Sequence, residues 1–350
     1  MNNLCNILAH FLKITIIGFI SVNLISCKVD NKFNIGQNNA IWAEAIFLRG
    51  IDPKHTKSLK EQDIVAFAEN LKKYNIKYAF LFAGPFNKEG HLPEYPFSPT
   101  ASKTIKFLKD NYPEIVILPW VGGIQNKTVF LEDTTWVRIA LKDCKKLIET
   151  HSVTGLHFDF EFILKGDQYL ERTEVNGGSV GIESYGENVI DFHKKFREMM
   201  PNAFISSVVV APSPGTRPWK RKTPSNELEV LSNYIDQLSF LYFDTYLNKQ
   251  YEFEKNCYSL LKVIQKLKES NRSHNVQFLI AIGTFTNALE LQKYRDMNIE
   301  NIPNTIETIL KCSQSISPSN QIVDGISIYC NWETDDIEWN QIYKNWTHFK

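Results

Sequence analysis

A chain of 350 residues, 43% of them hydrophobic, can bury a large core, and about 250 residues in a single α/β barrel is usual. Its 39 basic and 39 acidic residues cancel to a formal net charge of zero, which leaves no electrostatic case for a nucleic-acid partner. Aromatic residues reach 13%, with 23 Phe, 14 Tyr and 7 Trp, which suits either a large core or sugar-stacking surfaces.

The chain opens on a leader. After Lys13 an apolar segment runs from Ile14 to Ile25 and ends in Leu24-Ile25-Ser26-Cys27. It is too short to span a bilayer and has the shape of a signal-peptide hydrophobic region. Leu-Ile-Ser-Cys resembles a bacterial lipobox. That resemblance implies that Cys27 becomes the lipid-modified first residue of the mature protein, anchored to a membrane of the cell envelope on its extracytoplasmic side. Residues 1–27 are therefore left out of the fold. The polar stretch from Lys28 to about Asn39, rich in Asn and Lys, reads as a tether, and the folded part is expected over 40–350.

From Ala40 onward, strand-like apolar runs alternate with helical patterns. The first strand is expected at Ile41–Leu48 and is followed by Ser58-x-x-Glu61, read as a capping box. Ile64, Phe67, Ala68 and Leu71 then recur at helical spacing. The second strand, Tyr78–Phe86, stops at Gly84-Pro85, and a helix near Ser102–Asp110 leads to the third strand, Glu114–Val121, and to Gly122-Gly123. The third helix carries Val137, Ala140, Leu141, Cys144, Leu147 and Ile148 on one stripe.

After the fourth strand comes a Gly-rich polar segment, Lys165–Ser184, long enough for a lid or binding loop. The fourth helix shows Val189, Phe192 and Phe196. The fifth strand, Ala203–Ala211, leads into a loop from Pro212 to Pro224 that holds Arg217, Trp219, Lys220, Arg221 and Lys222. A short helix with Leu228 and Leu231 precedes the sixth strand, Gln237–Tyr246. The rest follows suit, with a helix through Cys257–Leu267, a strand at Val276–Phe285, a helix near Thr305–Cys312, a strand at Gly325–Trp332 and a last helix with Trp339 and Ile342. Strict alternation of eight strands and eight helices predicts a single (β/α)8 TIM barrel and not an open sheet with a second domain. Thr154-Gly155-Leu156 and Asp324-Gly325-Ile326 start the fourth and eighth strands alike, as near-repeated units would.

Cys5 and Cys27 belong to the leader, and Cys144, Cys257, Cys312 and Cys330 are widely separated. No C-x-x-C or His spacing suggests a metal site, and nothing calls for a cofactor. Cys144 and Cys257 fall on apolar helical stripes and read as buried thiols. A Cys257–Cys312 disulfide between neighbouring helices stays open in an oxidising compartment.

The fourth strand carries the chemistry. Within His151–Leu164, period-two reading sends Leu156, Phe158, Phe160 and Phe162 to one face and His157, Asp159 and Glu161 to the other. The apolar row can pack under helices, whereas an unpaired carboxylate loses several kcal/mol on burial or shifts its pKa. At the C-terminal end of a barrel strand, Asp-x-Glu therefore reads as the floor of an active site. The two Cβ atoms should stand roughly 6–7 Å apart. Ordinary glycosidases put two carboxylates on opposite sides of the scissile bond, which neighbours on one strand do poorly. They suit a division in which Glu161 protonates the leaving oxygen and Asp159 holds the substrate. An acidic strand end paired with Arg or Lys would give the same short pattern.

At the mouth of such a barrel Arg49, Phe86 and Trp120 would gather around Asp159 and Glu161, with Tyr242, Asp244 and Tyr246 from the sixth strand. The eighth strand would add Tyr329, Asn331, Trp332 and Glu333. Carboxylates ringed by aromatics and amides suit a carbohydrate, whose C–H faces stack and whose hydroxyls hydrogen-bond. Each aromatic taken singly would also serve in core packing.

Four motifs in order carry a family resemblance. Thr154-Gly155-Leu156-His157-Phe158-Asp159-Phe160-Glu161 resembles the fourth-strand signature D-G-x-D-x-D-x-E of family 18 glycoside hydrolases. Trp120-Val121-Gly122-Gly123 is similar to that family's S-x-G-G, Leu241-Tyr242-Phe243-Asp244 to its M-x-Y-D, and Gly325-x-x-x-Tyr329 to its G-x-x-x-W. The resemblance implies that Glu161 is the general acid, that Asp159 orients the substrate's N-acetyl group, and that Asp244 contacts the same sugar. It places Tyr329 where the family has a platform Trp and makes the N-acetyl carbonyl oxygen the nucleophile, with retention of configuration. The chain departs from the pattern at Thr154, His157, Trp120, Phe243 and Tyr329. His157 would then hydrogen-bond Asp159, and Tyr242 or Tyr246 would supply the phenol that Phe243 lacks. The expected protein is a lipid-anchored glycosidase that cuts β-linked, N-acetylglucosamine-containing glycans, with Trp120, His157, Tyr242, Tyr246, Tyr329, Trp332 and Arg49 binding the sugar. Two rivals are a glycan-binding lectin on the same barrel and a glycosidase with Asp244 or Glu333 as protein nucleophile.

Overall fold

The computed structural model describes residues 37–52, 57–164, 182–212, 216–217, 220–270, 275–284, 294–318 and 321–347. Cys27, the lipobox and the leader lie outside the described residues, as do residues 165–181 of the expected lid and Trp219. The expected alternation closes on itself. The strands are β1 (Asn39–Ala43), β2 (Ile76–Pro85), β3 (Val116–Ile117 and Trp120–Ile124) and β4 (Gly155–Glu161). They continue as β5 (Phe204–Val209), β6 (Gln237–Leu241), β7 (Gln277–Gly283) and β8 (Gly325–Tyr329). Every pairing is parallel, and β1 pairs with both β2 and β8, so the sheet is a closed (β/α)8 barrel. The helices that cover it are α1 (Glu61–Lys73), α2 (Pro99–Asn111), α3 (Thr134–His151), α4 (Ile182–Met199), α5 (Ser225–Leu231), α6 (Gln250–Ser270), α7 (Ile302–Ile316) and α8 (Asp336–Ile342).

The two faces of each strand make two cores. Ile41, Leu81, Leu156, Phe158, Ile205 and Ile280 pack outward under the helices. Trp42, Tyr78, Phe80, Leu118, Val208 and Leu279 fill the barrel interior. Phe158 lies 5.6 Å from Phe192 and 5.0 Å from Phe196 of α4, so the apolar row of β4 meets the helix as expected.

Carboxylates tie the strand starts at the closed end of the barrel. Asp236, just before β6, accepts the Ile205 N–H at 2.7 Å and the Arg197 guanidinium at 2.6 Å. Asp324, just before β8, accepts the Phe278 N–H at 2.8 Å and the Lys268 ammonium at 2.8 Å. The like starts of the fourth and eighth strands have a steric cause. A Cβ on Gly155 would sit 1.7 Å from the Phe204 carbonyl oxygen, and one on Gly325 would sit 2.7 Å from the Asn38 carbonyl.

Several boundaries differ from the sequence reading. β1 begins at Asn39, inside the expected tether, because its buried side chain accepts the Ile326 N–H and the Trp346 indole N–H, both at 3.0 Å. The strand expected to reach Leu48 stops at Ala43, since Ile46–Arg49 forms a helical turn closed by Gly50 at φ 81°. The Ser58–Glu61 capping box is not formed. α1 starts at Glu61 instead, and the Asp63 carboxylate reaches back to the Lys60 N–H at 2.9 Å. β6 ends at Leu241, five residues before Tyr246. The four described cysteines are buried free thiols, and Cys257 and Cys312 meet across α6 and α7 as a hydrogen-bonded thiol pair, not a disulfide.

Asp236→Ala removes the acceptor of one strand-start amide and of Arg197. It should lower the unfolding free energy by roughly 1–3 kcal/mol, read as a lower urea midpoint at unchanged slope. A midpoint equal to the parent's would make that carboxylate dispensable.

Candidate active site

β4 delivers Asp159 and Glu161 to the open end of the barrel, and β3 must come close for it to do so. Gly122 pairs with Asp159 in register, and a Cβ there would lie 2.0 Å from the Asp159 carbonyl oxygen. Beside it the Trp120 indole N–H is directed at the Asp159 carboxyl, whose Oδ1 is buried with no hydrogen-bond partner. Burial pushes Asp159 up and the neighbouring Glu161 charge adds to this; Lys220, Arg217 and the Trp120 hydrogen bond only partly oppose them, and the group ends at about 7.

Glu161 goes the other way. After β5 the chain returns antiparallel to the end of β4, with Lys220 bridging Ile163 and the Arg221 N–H donating to the Phe162 carbonyl at 2.9 Å. That return lays the Lys220 ammonium directly on the Glu161 carboxylate. Burial alone would raise the Glu161 pKa, but the charge and hydrogen bond of Lys220, with Arg217, outweigh it and hold the group below its usual range. Below about pH 7 the pair therefore holds one proton, mainly on Asp159, and Glu161 is a carboxylate.

The β6 end forms the opposite wall through backbone that is costly for side-chain-bearing residues. Asp244 and Tyr246 adopt φ of 52° and 67°. A residue not expected from the sequence, Glu300, holds this turn. It accepts the Asp244 N–H at 2.5 Å, the Thr245 N–H at 2.8 Å and the Thr245 hydroxyl at 2.7 Å. Asp244 itself is buried and takes the Arg295 guanidinium at 2.9 Å. Phe243 faces the interior and stacks on Tyr329 with centroids 5.2 Å apart and planes 3° from parallel. Tyr329 in turn meets Trp332 edge-on at 5.5 Å, and Trp332 is 36% exposed. Phe243, Tyr329 and Trp332 thus make an aromatic wall beside the carboxylates.

Three of the expected sugar contacts take other places. Tyr242 is turned outward, 2% exposed, and its hydroxyl donates to the Phe253 carbonyl of α6 at 2.7 Å. The alternation that puts Phe243 inside puts Tyr242 outside, so it cannot replace the missing phenol. His157 faces the interior but lies a layer too deep. Its ring stacks on Phe80 at 3.8 Å, and the Ser206 hydroxyl donates to Gln237 Oε1 at 2.8 Å, so its oxygen accepts from His157 Nδ1–H at 2.7 Å. Burial holds this imidazole well below the usual histidine range, and its Nε2 has no partner, so the expected His157–Asp159 hydrogen bond is not made. Arg49 lies 4.7 Å over the Tyr95 ring and serves that wall of the barrel. Tyr246 remains on the rim, 55% exposed, its ring 6.4 Å from Tyr294.

Behind Glu161 a small pocket opens between β4, β5, α4 and α5, lined by Glu161, Lys220, Arg221, Glu227, Ser207 and Tyr185. The Tyr185 hydroxyl is buried there without a hydrogen-bond partner, and burial pushes its pKa well up. Only the cluster of basic residues after the fifth strand signalled any of this in the sequence.

No protein-family model matches the chain, nor does any curated protein sequence. Solved structures do. The Bacillus cereus spore cortex-lytic enzyme SleL is similar at a TM-score of 0.57 and 12% identity, over 90% of this chain and 75% of that one. A chitinase from Chromobacterium violaceum is similar at 0.54 and 12%, over 89% of this chain and 99% of that one. The Group IV chitinase of Ostrinia furnacalis in complex with allosamidin is similar at 0.57 and 11%, over 88% and 98%. The chain thus shares the barrel fold of those proteins.

Asp159 binds its proton more tightly in the folded chain than in the unfolded one. Its contribution to stability is therefore fully present below about pH 4 and is lost as the pH rises through about 7. Asp159→Asn should unfold later than the parent at about pH 8.5, by roughly 2 kcal/mol after allowing for solvent access, and alongside it near pH 4. A stability difference independent of pH would mean that Asp159 titrates normally.

Proposed function

We propose that this protein is a glycosidase acting on β-linked glycans that contain N-acetylglucosamine, by a retaining, substrate-assisted mechanism. The observation that carries the reading is the pair Asp159 and Glu161, side by side at the end of β4, facing the aromatic wall of Phe243, Tyr329 and Trp332. Two carboxylates on one side of the cleft cannot attack and protonate from opposite faces, so the nucleophile has to come from elsewhere. The substrate's acetamide carbonyl oxygen attacks C1 while Asp159 holds the acetamide nitrogen. The proton shared by the pair passes from Asp159 to Glu161, which gives it to the glycosidic oxygen as the C1–O bond breaks and an oxazolinium ion forms. Water then adds to C1, Glu161 takes its proton, and the original configuration returns. Asp244, fixed by Arg295, contacts the same sugar, and Trp120 and Tyr246 extend the cleft.

Glu161→Gln should keep glycan binding and lower kcat by roughly 10²–10⁴. A thiazoline that mimics the oxazolinium ion should inhibit strongly, because it resembles a species held more tightly than substrate. NMR of the first-formed anomer decides the mechanism. An inverted product, or a covalent glycosyl adduct on Asp244 or Glu333, would sink substrate assistance.

A second reading has its own observation. The Lys220 ammonium on Glu161 suits a barrel that binds glycans without cleaving them. Tight binding of chito-oligosaccharides with no hydrolysis on long incubation would favour it. The lipobox adds a location to either reading, with Cys27 acylated and the barrel held at the cell envelope. Cys27→Ala should abolish acylation and signal cleavage, seen as a heavier unmodified chain by intact mass. Equal masses for mutant and parent would remove the anchor.

A further inference from the structure

Hydrolysis of a neutral glycan leaves two cations at this site unexplained. Lys220 and Arg217 are 9% and 4% exposed, and both charges act on Asp159 and Glu161. Arg217 is held by two contacts with Phe243. One amino group donates to its carbonyl at 2.5 Å, and the guanidinium lies 4.6 Å over its ring. Its Nε is buried without a hydrogen-bond partner. The backbone at Arg217 has φ 43°, a left-handed conformation that a bulky residue rarely adopts except where the surroundings impose it.

The charges do not balance through the reaction. With the proton on Asp159, one carboxylate already faces two cations. For Glu161 to act as an acid the shared proton must move to it, and Asp159 is then the carboxylate; in either state one carboxylate faces two cations, so one positive charge stays unmatched. An unmatched buried charge is strongly unfavourable, and a neutral sugar does nothing to relieve it. A carboxylate on the sugar would relieve it, because the planar arginine fork meets a carboxylate on two oxygens while the lysine stem can swing to follow.

We propose that Arg217 and Lys220 form an anion subsite for a carboxylate borne by the sugar beside the scissile bond, and that this carboxylate draws Lys220 away from Glu161. The inference rests on the glycosidase reading and narrows its substrates to acidic N-acetylated glycans. The substrate thereby switches on the acid it needs, and a neutral glycan leaves Glu161 locked in its ion pair.

The test uses uncleavable, sulfur-linked tetrasaccharides of alternating N-acetylglucosamine and N-acetylmuramic acid, and the same compound with its lactyl carboxylates converted to amides. Calorimetry on the parent protein should give about 10- to 100-fold tighter binding of the acid form, the range expected for hydrogen bonds to charged groups. The gap should shrink with added salt. Arg217→Met and Lys220→Met should each narrow it to below about threefold, and Arg217→Lys should restore part of it. A third compound carrying sulfate esters in place of the lactyl groups separates carboxylate recognition from general attraction of anions. Binding it as tightly as the carboxylate form would overturn the carboxylate assignment. Equal affinity of the parent for acid and amide forms would overturn the subsite while leaving the glycosidase reading intact, and needs no variant to fold. Failure to bind either form, or chito-oligosaccharides, would bring down both.

Discussion

Closure of the sheet is the constraint from which the rest follows. Because β1 is bonded on both edges, each strand has one face under the helices and one toward the barrel axis, and neither is solvent-facing along its length. Polar side chains on the inner face must find partners inside the barrel or lie at its open end. The lower layers meet this with a chain that runs from His157 through Ser206 and Gln237 to Gln277, with spacings of 2.7, 2.8 and 3.0 Å. The next inward positions on β4 are Asp159 and Glu161, and they emerge where the strands end. The site is thus placed by the same period-two rule that builds the core.

Electrostatics then separates two carboxyl groups of nearly equal intrinsic acidity. Both lie largely out of solvent and the two charges repel, so a second negative charge forms there only as the pH rises through about 7. What breaks the tie is a contact distant in sequence, the return of the chain after β5 that sets Lys220 on Glu161. Desolvation is the largest influence on both; at Asp159 the opposing interactions fall short, and at Glu161 the charge and hydrogen bond of Lys220, with Arg217, together outweigh it. The proton accordingly resides one position below the group that the proposed reaction needs to carry it.

Much of this was legible in the sequence because it depends on local pattern. The strand and helix alternation and the inward row of β4 follow from periodicity. Failures occurred where backbone conformation or distant contacts decide. Tyr242 follows the strand alternation outward, opposite to Phe243, and the left-handed turn at Asp244 belongs to no strand. His157 was assigned to the mouth because alternation gives the face of a residue but not its depth along the axis. Glu300 and Arg295 fix Asp244 from more than fifty positions away, and no spacing rule joins them. Lys220 and Arg217 showed only as an excess of cations in a loop.

One departure from the family 18 pattern and one feature of this chain make sense together. Where that signature has a further Asp below Asp159, this chain has His157, held neutral by burial and donating downward to Ser206. It presents toward Asp159 neither a carboxyl to share a proton nor a cation to draw one off. The proton on Asp159 then has no exchange partner beneath it, and the charge that tunes the pair must come from the side. Lys220 supplies it there. With a neutral ring below and a cation beside the pair, the charges that tune this proton lie at the open end of the barrel and not on its floor.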